Sequence, residues 1–407
     1  MLGPELTLTS LRLDSKVPLT CRIEVAFKYV NCNFVEEVLM SHSLDRLTIR
    51  GFKSIRALED FKLNNLNLFI GGNGAGKSNL VDFFRLLRSV IDGNLNDYIR
   101  SGGGISDFLF NGRKVTSEMY FEARFGLRGY RFSLKPGPSE TPLLTAEARF
   151  YHGQISRWWE LGDSADGKSL LVKEAKGDST DSKKSQPVYD AISSWQIYHF
   201  HDTSPTAAMR HYEIVQDNKV LRFDASNIAP YLLRLKTDKK DAYREILNSV
   251  RLVIPFLEDF LLDVAEFGEK QKVNLSWKQE GSDYPMQPYH LSDGSIRFIC
   301  LATALLQPNP PSTIIIDEPE LGLHPSAISI LAELIQDAAK RTQLIVATQS
   351  PALIDQFGIE DVVVVNRKDG ASTFERLQEK DFTAWLENYS VGELWSKNVI
   401  SGGPVYE

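Results

Sequence analysis

The stretch GGNGAGKSN, residues 71–79, has the residue types and spacing to hold phosphate groups. From Gly71 to Ser78 it matches the pattern G-x-x-x-x-G-K-[ST]. Glycines let successive backbone N–H groups turn toward phosphate oxygens, Lys77 can reach the β and γ phosphates, and Ser78 offers a hydroxyl to Mg²⁺. The predicted phosphate-binding residues are Gly71, Gly72, Asn73, Gly74, Ala75, Gly76, Lys77, Ser78 and Asn79.

Two carboxylates end an apolar run in TIIIDEPE, residues 313–320. Asp317 is placed to hold the shell of a Mg²⁺ ion, and Glu318 is placed to orient and deprotonate an attacking water. Two acids after a strand are commonly just solvated side chains. Because the same chain carries a phosphate-binding loop, the pair predicts hydrolysis of a bound nucleotide.

A third polar cluster, LSDGS, precedes the apolar stretch 296–302, which reads as a helix. Small polar residues at a helix start can bind an anion. The residues concerned are Ser292, Asp293, Gly294 and Ser295. The chain thus carries two predicted phosphate-binding helix starts, far apart in sequence.

Short apolar runs are expected to position these residues. LNLFI, residues 66–70, reads as a strand that enters the phosphate loop, and the following segment has helical spacing of apolar residues. Continuous apolar runs in 311–320, 343–350 and 361–365 suit parallel strands covered on both faces, with a helix over 326–340 between them. The two ends of the chain therefore predict one mostly parallel sheet.

The middle of the chain has a different character. Residues 116–151 alternate aromatic and polar side chains, which predicts antiparallel strands. Residues 162–186 are rich in Gly, Ser, Asp and Lys, which predicts an exposed loop. Residues 228–262 carry apolar side chains at helical spacing. The predicted fold class is α/β, with a mostly parallel sheet, an antiparallel β part and a helical insertion.

The predicted boundaries follow these changes of pattern. Residues 40–160 and 289–407 form the two parts of the sheet-bearing unit, and 161–288 are an inserted loop, helical and β region. Residues 1–39 have no clear period and precede a second methionine, Met40. They are either a non-native or flexible extension or a genuine N-terminal arm.

Composition narrows the functional classes. The chain has 407 residues and a formal net charge of −7, which argues against a generally basic nucleic-acid coat but leaves a local basic groove open. It has no apolar run long enough for a membrane span and no signal-peptide pattern. Its three cysteines lack metal-site spacing, so we expect a cytoplasmic protein without a disulfide framework. The histidines of YHFHDTSPTAAMRHY are either polar packing residues or a metal site.

The three motifs, in this order, resemble those of the ABC-type ATPases of the RecF, SMC and OLD group. The resemblance covers residues 44–127 and 289–370 and implies an ABC-type P-loop ATPase head with ATP and Mg²⁺ as cofactors. It also implies a homodimer, or a higher oligomer, in which two heads sandwich ATP. In that group the LSDGS-like signature closes over the nucleotide of the second subunit, so 292–295 would act in trans.

Two family positions depart from the usual pattern. Gln349, in ATQSP, stands where the family often has a histidine that senses the γ phosphate; its amide can donate a hydrogen bond but cannot become a cation. No glutamine of the kind that follows the P-loop in this family can be named, although residues 101–113 stand roughly at that place. Residues 321–324 match the D-loop, which crosses the dimer interface in the family.

The expected function is an ATP-hydrolysing clamp that controls DNA or a separate effector protein, such as a nuclease or toxin. By analogy with compact members of the group, its setting would be anti-phage defence or DNA repair. We expect no SMC-like coiled-coil arm, no fused nuclease domain and no membrane partner. The alternative is a nucleotide-gated scaffold or sensor with little hydrolysis. A small-molecule P-loop kinase is disfavoured by the signature motif.

Overall fold

The structure, a computed structural model, describes residues 43–152 and 156–400. The segment 1–39 lies outside these residues. The strands are β1 (Arg46–Phe52), β2 (Ile55–Lys62), β3 (Leu66–Ile70), β4 (Met119–Phe125), β5 (Arg128–Pro136), β6 (Pro142–Tyr151), β7 (Arg157–Ser164), β8 (Gln196–Tyr198), β9 (Glu213–Ile214), β10 (Leu257–Leu261), β11 (Ala265–Phe267), β12 (Lys270–Val273), β13 (Ser276–Gln279), β14 (Pro285–Met286), β15 (Thr313–Asp317), β16 (Gln343–Thr348), β17 (Val362–Lys368) and β18 (Ala371–Arg376).

Helices connect and cover these strands. They are α1 (Lys77–Asp92), α2 (Leu95–Ser101), α3 (Ile105–Phe108), α4 (Leu170–Ala175), α5 (Ser182–Ser193), α6 (Ile228–Asp238), α7 (Lys240–Val253), α8 (Asp293–Leu305), α9 (Pro325–Ala339), α10 (Pro351–Ile354), α11 (Glu379–Leu386) and α12 (Val391–Ser396). Within the described ranges, no helix is long and apolar enough to cross a bilayer.

The mostly parallel sheet has the strand order β18-β17-β3-β16-β15-β8. All its pairs are parallel except β17 with β18. Every residue of β3, β15 and β16 is buried, as expected for strands covered on both faces. The predicted sheet is confirmed, with one addition: the middle of the chain contributes β8 at its edge. Since β3, β15 and β8 are parallel, their carboxyl ends lie at one edge of the sheet.

Helix α1 links the parallel sheet to the antiparallel sheet, which has the order β2-β1-β4-β5-β6-β7. The helix begins after Gly76 and ends at Gly93, two glycines with positive φ. Its predicted apolar face is confirmed, because Leu80, Phe84 and Leu87 are among its buried side chains. These pack in one hydrophobic core with residues of both sheets. The antiparallel strands predicted over 116–151 are likewise confirmed as β4 to β6.

The prediction of an exposed loop over 162–186 is wrong, because this segment continues β7 and then forms α4 and the first part of α5. The buried Glu147 carboxylate orders its start: it accepts hydrogen bonds from Ser169 Oγ at 2.6 Å, Leu170 N at 2.7 Å and Leu171 N at 2.9 Å. Helix α5 then buries apolar side chains against the core. The polar composition of this segment suggested a loop, whereas hydrogen bonds to one buried acid order it.

The helical insertion is confirmed in α6 and α7. The predicted apolar face of α7 is buried through Tyr243, Ile246, Leu247 and Val250. The insertion continues into two small sheets, β10-β13-β14 and β11-β12-β9. Helix α8 packs against this region with its apolar side chains, so the signature segment is anchored to the insertion.

Candidate nucleotide site

The predicted phosphate loop joins β3 to α1. Gly74 and Gly76 have φ angles of 75° and 116°, which side chains with a Cβ rarely adopt. The Lys77 Nζ atom donates hydrogen bonds to Gly71 O at 2.6 Å and Gly72 O at 3.1 Å. The loop thus folds around the amine of its own lysine. This amine is the group that would bind the γ phosphate of a nucleotide.

Three nearby acids influence the pKa of Lys77. The lysine is 5% exposed, and burial lowers its pKa, whereas the nearby carboxylates Glu318, Asp317 and Glu320 act to raise it. These acids lie at and just after the end of β15, and Lys77 follows β3, on the same edge of the parallel sheet. The structure therefore brings the two predicted motifs together.

Asp317 is the last residue of β15 and is 5% exposed. Its Oδ1 atom is buried without a hydrogen-bond partner within the described chain. Burial raises the pKa of this carboxyl, opposed chiefly by the charge of His201. A buried carboxylate oxygen without a donor is a ready ligand for a cation.

Glu318 turns out of the strand with a φ of 45°, an uncommon conformation for a residue with a side chain. Its backbone N–H donates to Ala347 O at 2.8 Å, which ties this turn to β16. The Gln349 Nε2 group donates a hydrogen bond to Glu318 Oε1. The predicted base and the predicted sensor residue are therefore in direct contact.

Glu320 is a site residue that the sequence reasoning missed. Its Oε1 atom accepts hydrogen bonds from Thr348 Oγ1 at 2.6 Å and from Gln349 N at 3.2 Å, while its Oε2 atom is buried without a partner. Burial raises the pKa of this carboxyl. Glu320 thus joins the loop after β15 to the loop after β16. The only feature of the sequence that pointed to Glu320 is its place as the third acid of DEPE, residues 317–320.

His201 is the second missed residue. His201 follows β8, the strand that pairs with β15, and its Nε2 atom lies 3.0 Å from Asp317 O. The ring centroid of His199 is 3.9 Å from that of His201, and burial lowers the pKa of His199 to about 4. Residues 101–113, which stand in the sequence where the family's glutamine is expected, pack on β1, and Phe110 N donates to Gly51 O at 2.9 Å. The edge of the site toward the insertion is therefore formed by histidines.

The signature segment lies at the start of α8. Ser292 Oγ accepts a hydrogen bond from Ser295 N at 3.1 Å and contacts Ser295 Oγ at 2.8 Å. Arg210 Nη2 donates to Asp293 Oδ1 at 2.9 Å. At Gly294 a Cβ would approach Gly322 O to 2.5 Å, so the signature and the D-loop touch through backbone.

The signature does not complete the site of its own chain. Ser292 and Asp293 are exposed. Among residues 43–152 and 156–400, no hydrogen bond or ion pair joins 292–295 to 71–79. Within one chain, the structure thus assembles the phosphate loop, the 317–320 acids and Gln349, and leaves the signature apart from them.

Comparison with known proteins gives the family. Residues 66–355, more than half of the chain, match the family described as "AAA domain, putative AbiEii toxin, Type IV TA system". The chain belongs to this AAA domain family. This family agrees with the P-loop ATPase head that the order of the three motifs predicts. No curated protein shows significant sequence similarity to it.

A solved SMC head shares the fold. An SMC head bound to the C-terminal winged-helix domain of ScpA matches with a TM-score of 0.51 and 16% identity, over 84% of this chain and 99% of that one. An SMC head with an extended coiled coil from Pyrococcus furiosus gives 0.45 and 17% over 85% and 98%. The SMC head from Thermotoga maritima gives 0.39 and 14% over 83% and 99%.

The side chains of this AAA domain fit a magnesium nucleotide. Mg²⁺ is usually held by one or two protein oxygens together with water and substrate phosphates. The unpartnered Asp317 Oδ1 and the exposed Ser78 hydroxyl are such a donor pair. Across the part of the chain that the structure describes, no group of three His, Cys, Asp or Glu residues could hold a metal by itself.

Proposed function

We propose that the chain binds and hydrolyses ATP in a homodimer whose two active sites each need both subunits, and that this cycle controls a partner molecule. The observation that carries the proposal is the convergence of Lys77, Asp317 and Glu318 at one edge of the parallel sheet. A buried cation and a buried carboxylate that can hold a metal, next to a half-buried carboxylate that can act as a base, have the arrangement that phosphoryl transfer to water requires.

Each side chain would have one task. The Lys77 amine would exchange its contacts with Gly71 O and Gly72 O for oxygens of the β and γ phosphates. Asp317 and Ser78 would hold Mg²⁺, which neutralises charge on the phosphate oxygens. Glu318 would accept a proton from the attacking water while Gln349 holds its Oε1 atom in place. The bond from the γ phosphorus to the bridging oxygen breaks, which releases ADP and phosphate.

The exposed signature supports dimerisation. Ser292 and Asp293 are free of contacts with the P-loop of their own chain, and Tyr289 and Leu321 beside them are 66% and 45% exposed. Large side chains exposed next to an unused phosphate-binding helix start suit an interface. A second head would cover this surface and receive the γ phosphate between Lys77 of one subunit and Ser292 of the other.

The inserted region supports a protein partner. It exposes large apolar side chains, which are Leu252, Phe256, Val264, Phe267 and Tyr284. The solved SMC head cited above binds a winged-helix domain of ScpA, so a head of this fold can hold a protein module. We therefore favour a separate effector protein, such as a nuclease or toxin in anti-phage defence, over DNA.

DNA has weaker support. Residues 228–262 carry six basic residues. Of these, Lys236 pairs with Asp259, Arg234 with Asp238 and Arg244 with Asp241, and Arg251 donates to Glu258 O. Lys239 and Lys240 have no acidic partner within the described chain. Two free cations predict weak DNA binding whose logarithmic affinity falls with logarithmic salt at a slope of about −2. A slope steeper than about −5 in a filter-binding titration would favour DNA as the main partner.

A nucleotide-gated scaffold with little hydrolysis is the second candidate. It is favoured by the amide of Gln349, which occupies Glu318 Oε1 and cannot supply positive charge to the γ phosphate. In that case ATP would be held rather than turned over, and the bound state would retain the effector.

Steady-state phosphate release separates the two candidates. Hydrolysis predicts turnover that Glu318→Gln abolishes while ATP binding persists, and that Lys77→Ala abolishes together with binding. Glu333→Gln, on the exposed face of α9, is the matched control and should behave like the wild type. Tight ATP binding with no phosphate release in the wild type would favour the scaffold. Failure of the wild type to bind Mg–ATP would contradict both.

A further inference from the structure

An open cavity of about 620 Å³ lies beside the nucleotide site and is separate from it. Its walls are the outer side of α1, strand β8 and residues 217–223. None of residues 71–79 lines it. On α1 the lining runs from Arg85 to Asp92, which is about 12 to 22 Å along the helix from Lys77. Its volume is that of a pocket for one small organic molecule.

One wall of the cavity is apolar and contains flat rings. Trp195, Ile197 and Leu221 are buried and form its floor, whereas Val220 and Phe223 are 52% and 61% exposed at its rim. Isolated exposed apolar residues are normal, but a rim of them above a buried apolar floor is typical of a ligand pocket. The lining therefore suits a planar apolar body.

The other wall is basic. Two of its cations are neutralised within the wall, since Arg88 pairs with Asp92 and Arg222 with Asp217. Lys219 lines the same wall, is exposed, and has no acidic partner within residues 43–152 and 156–400. The wall thus keeps a free positive charge beside Arg222.

Arg85 adds to this excess. Its Nη1 atom pairs with Asp82 at 2.6 Å, but the same carboxylate pairs with Lys53 at 2.7 Å. One acid therefore serves two cations. The acids of the lining and its neighbourhood do not balance the cations, so an anion bound in the cavity would find uncompensated positive charge.

We propose that this cavity binds an organic anion, namely a planar ring system that carries one phosphate, carboxylate or sulfonate group. The ring lies on Trp195, Leu221 and Phe223, and the anionic group faces Lys219 and Arg222. The occupant also contacts elements of the nucleotide site. Helix α1 begins at Lys77, and His199 N donates to Phe223 O at 2.9 Å, two residues before His201.

A pair of fluorescent probes tests both halves of this recognition. 1-Anilinonaphthalene-8-sulfonate has the ring and the anion, and N-phenyl-1-naphthylamine has the same ring system without the charge. We expect saturable binding of one sulfonate probe per chain, unchanged by saturating Mg–ATP, and at least about tenfold weaker binding of the neutral probe. Displacement by Mg–ATP, non-saturable binding or equal affinities would overturn the proposal.

Substitutions locate the bound probe. Lys219→Glu with Arg222→Gln should weaken binding of the sulfonate probe by about tenfold or more and leave the neutral probe within about twofold. The matched control is Lys239→Glu, just before α7, with Arg244→Gln on α7; it also combines an unpaired lysine with an arginine paired to a nearby aspartate. It should change neither affinity. Equal effects of the two double variants would show that the probe binds elsewhere.

The apolar wall has its own variant, which does not depend on charge. Phe223→Ala should weaken both probes by about three- to tenfold, because the ring loses a contact surface. Leu252→Ala, at a similarly exposed position on α7, should leave both affinities unchanged. Unaltered binding to the Phe223→Ala protein would contradict the assignment of the cavity. All six positions of the test variants and controls are exposed, so melting temperatures should stay close to that of the wild type.

Discussion

Glu318 and Gln349 form the contact on which the rate of hydrolysis should depend most. The left-handed backbone of Glu318 aims its carboxylate, and the amide of Gln349 donates to Oε1. Gln349→Ala removes this donor and leaves the base in place. Loss of one positioning hydrogen bond of about 1.4 kcal/mol predicts a roughly tenfold lower kcat with little change in KM. Steady-state kinetics would check this, with the exposed Gln356→Ala as control. A faster kcat would mean that Gln349 restrains Glu318. An unchanged kcat would mean that Gln349 does not act on it.

Glu320 predicts a pH dependence of stability. Burial raises the pKa of its carboxyl in the folded protein. An acid of this kind stabilises the folded state while protonated, and that contribution is lost as the pH rises from the ordinary carboxyl range through the raised pKa. Glu320→Gln keeps an acceptor for Thr348 and cannot ionise. Its melting temperature relative to the wild type should therefore increase from pH 5 to pH 8.

The measurement is thermal unfolding without nucleotide and in the presence of a chelator. Glu333→Gln, on an exposed face, should follow the wild type at every pH. The melting temperature of Glu320→Gln relative to the wild type could instead stay constant or fall as the pH rises. That result would show that burial of Glu320 does not control the pH dependence of stability.

The sequence predicted some site residues and missed others for a physical reason. Lys77, Asp317 and Glu318 could be predicted because each is defined by a local pattern, a glycine-rich loop or the end of an apolar run. Glu320 and His201 could not, because their role depends on partners from other strands: Thr348 at the end of β16 and the carbonyl of Asp317. Local spacing carries no information about such contacts.

At the scale of elements, Arg297 joins three parts of the molecule. It lies on α8 and is 4% exposed. Its guanidinium donates to Phe200 O at 2.8 Å, to His201 O at 3.0 Å and to Leu321 O. These carbonyls belong to the segment after β8 and to the D-loop. The signature helix, the histidine edge and the D-loop should therefore shift together.

Arg297→Lys keeps the charge but lacks the planar fork that reaches three carbonyls. It should lower the free energy of unfolding by about 2 kcal/mol or more, since buried acceptors lose charged donors. Urea denaturation of the nucleotide-free protein would measure this change. Arg244→Lys, exposed on α7, is the control and should be neutral. A neutral effect of Arg297→Lys would mean that other contacts hold these elements together.

The elements of the parallel sheet were predictable to different degrees. β15, β16 and the start of β17 contain continuous apolar runs, and such runs indicate buried parallel strands. β3, with Asn67 inside it, was predicted as the short strand that enters the phosphate loop. β8 has only three residues, too few for a period, so its place beside β15 required the tertiary structure. The α4–α5 segment was missed because Glu147, rather than an apolar pattern, orders its start.

At the scale of the whole molecule, the two phosphate-binding helix starts call for a second subunit. Lys77 is enclosed in its own loop, and Ser292 is exposed without contact to that loop. If the sites are composite, Lys77→Ala and Ser292→Arg damage different halves of each site. A mixture of the two variants should then regain one intact site per heterodimer, detected as occluded ATP.

The central claim, that two heads close around ATP, is tested most directly by the mass in solution of the Glu318→Gln protein with saturating Mg–ATP. We expect light scattering coupled to gel filtration to show a stable dimer at micromolar concentration, and a monomer when Ser292→Arg is added or when ADP replaces ATP. A Glu318→Gln protein that binds Mg–ATP and stays monomeric, or dimerises equally with Ser292→Arg, would contradict the composite site.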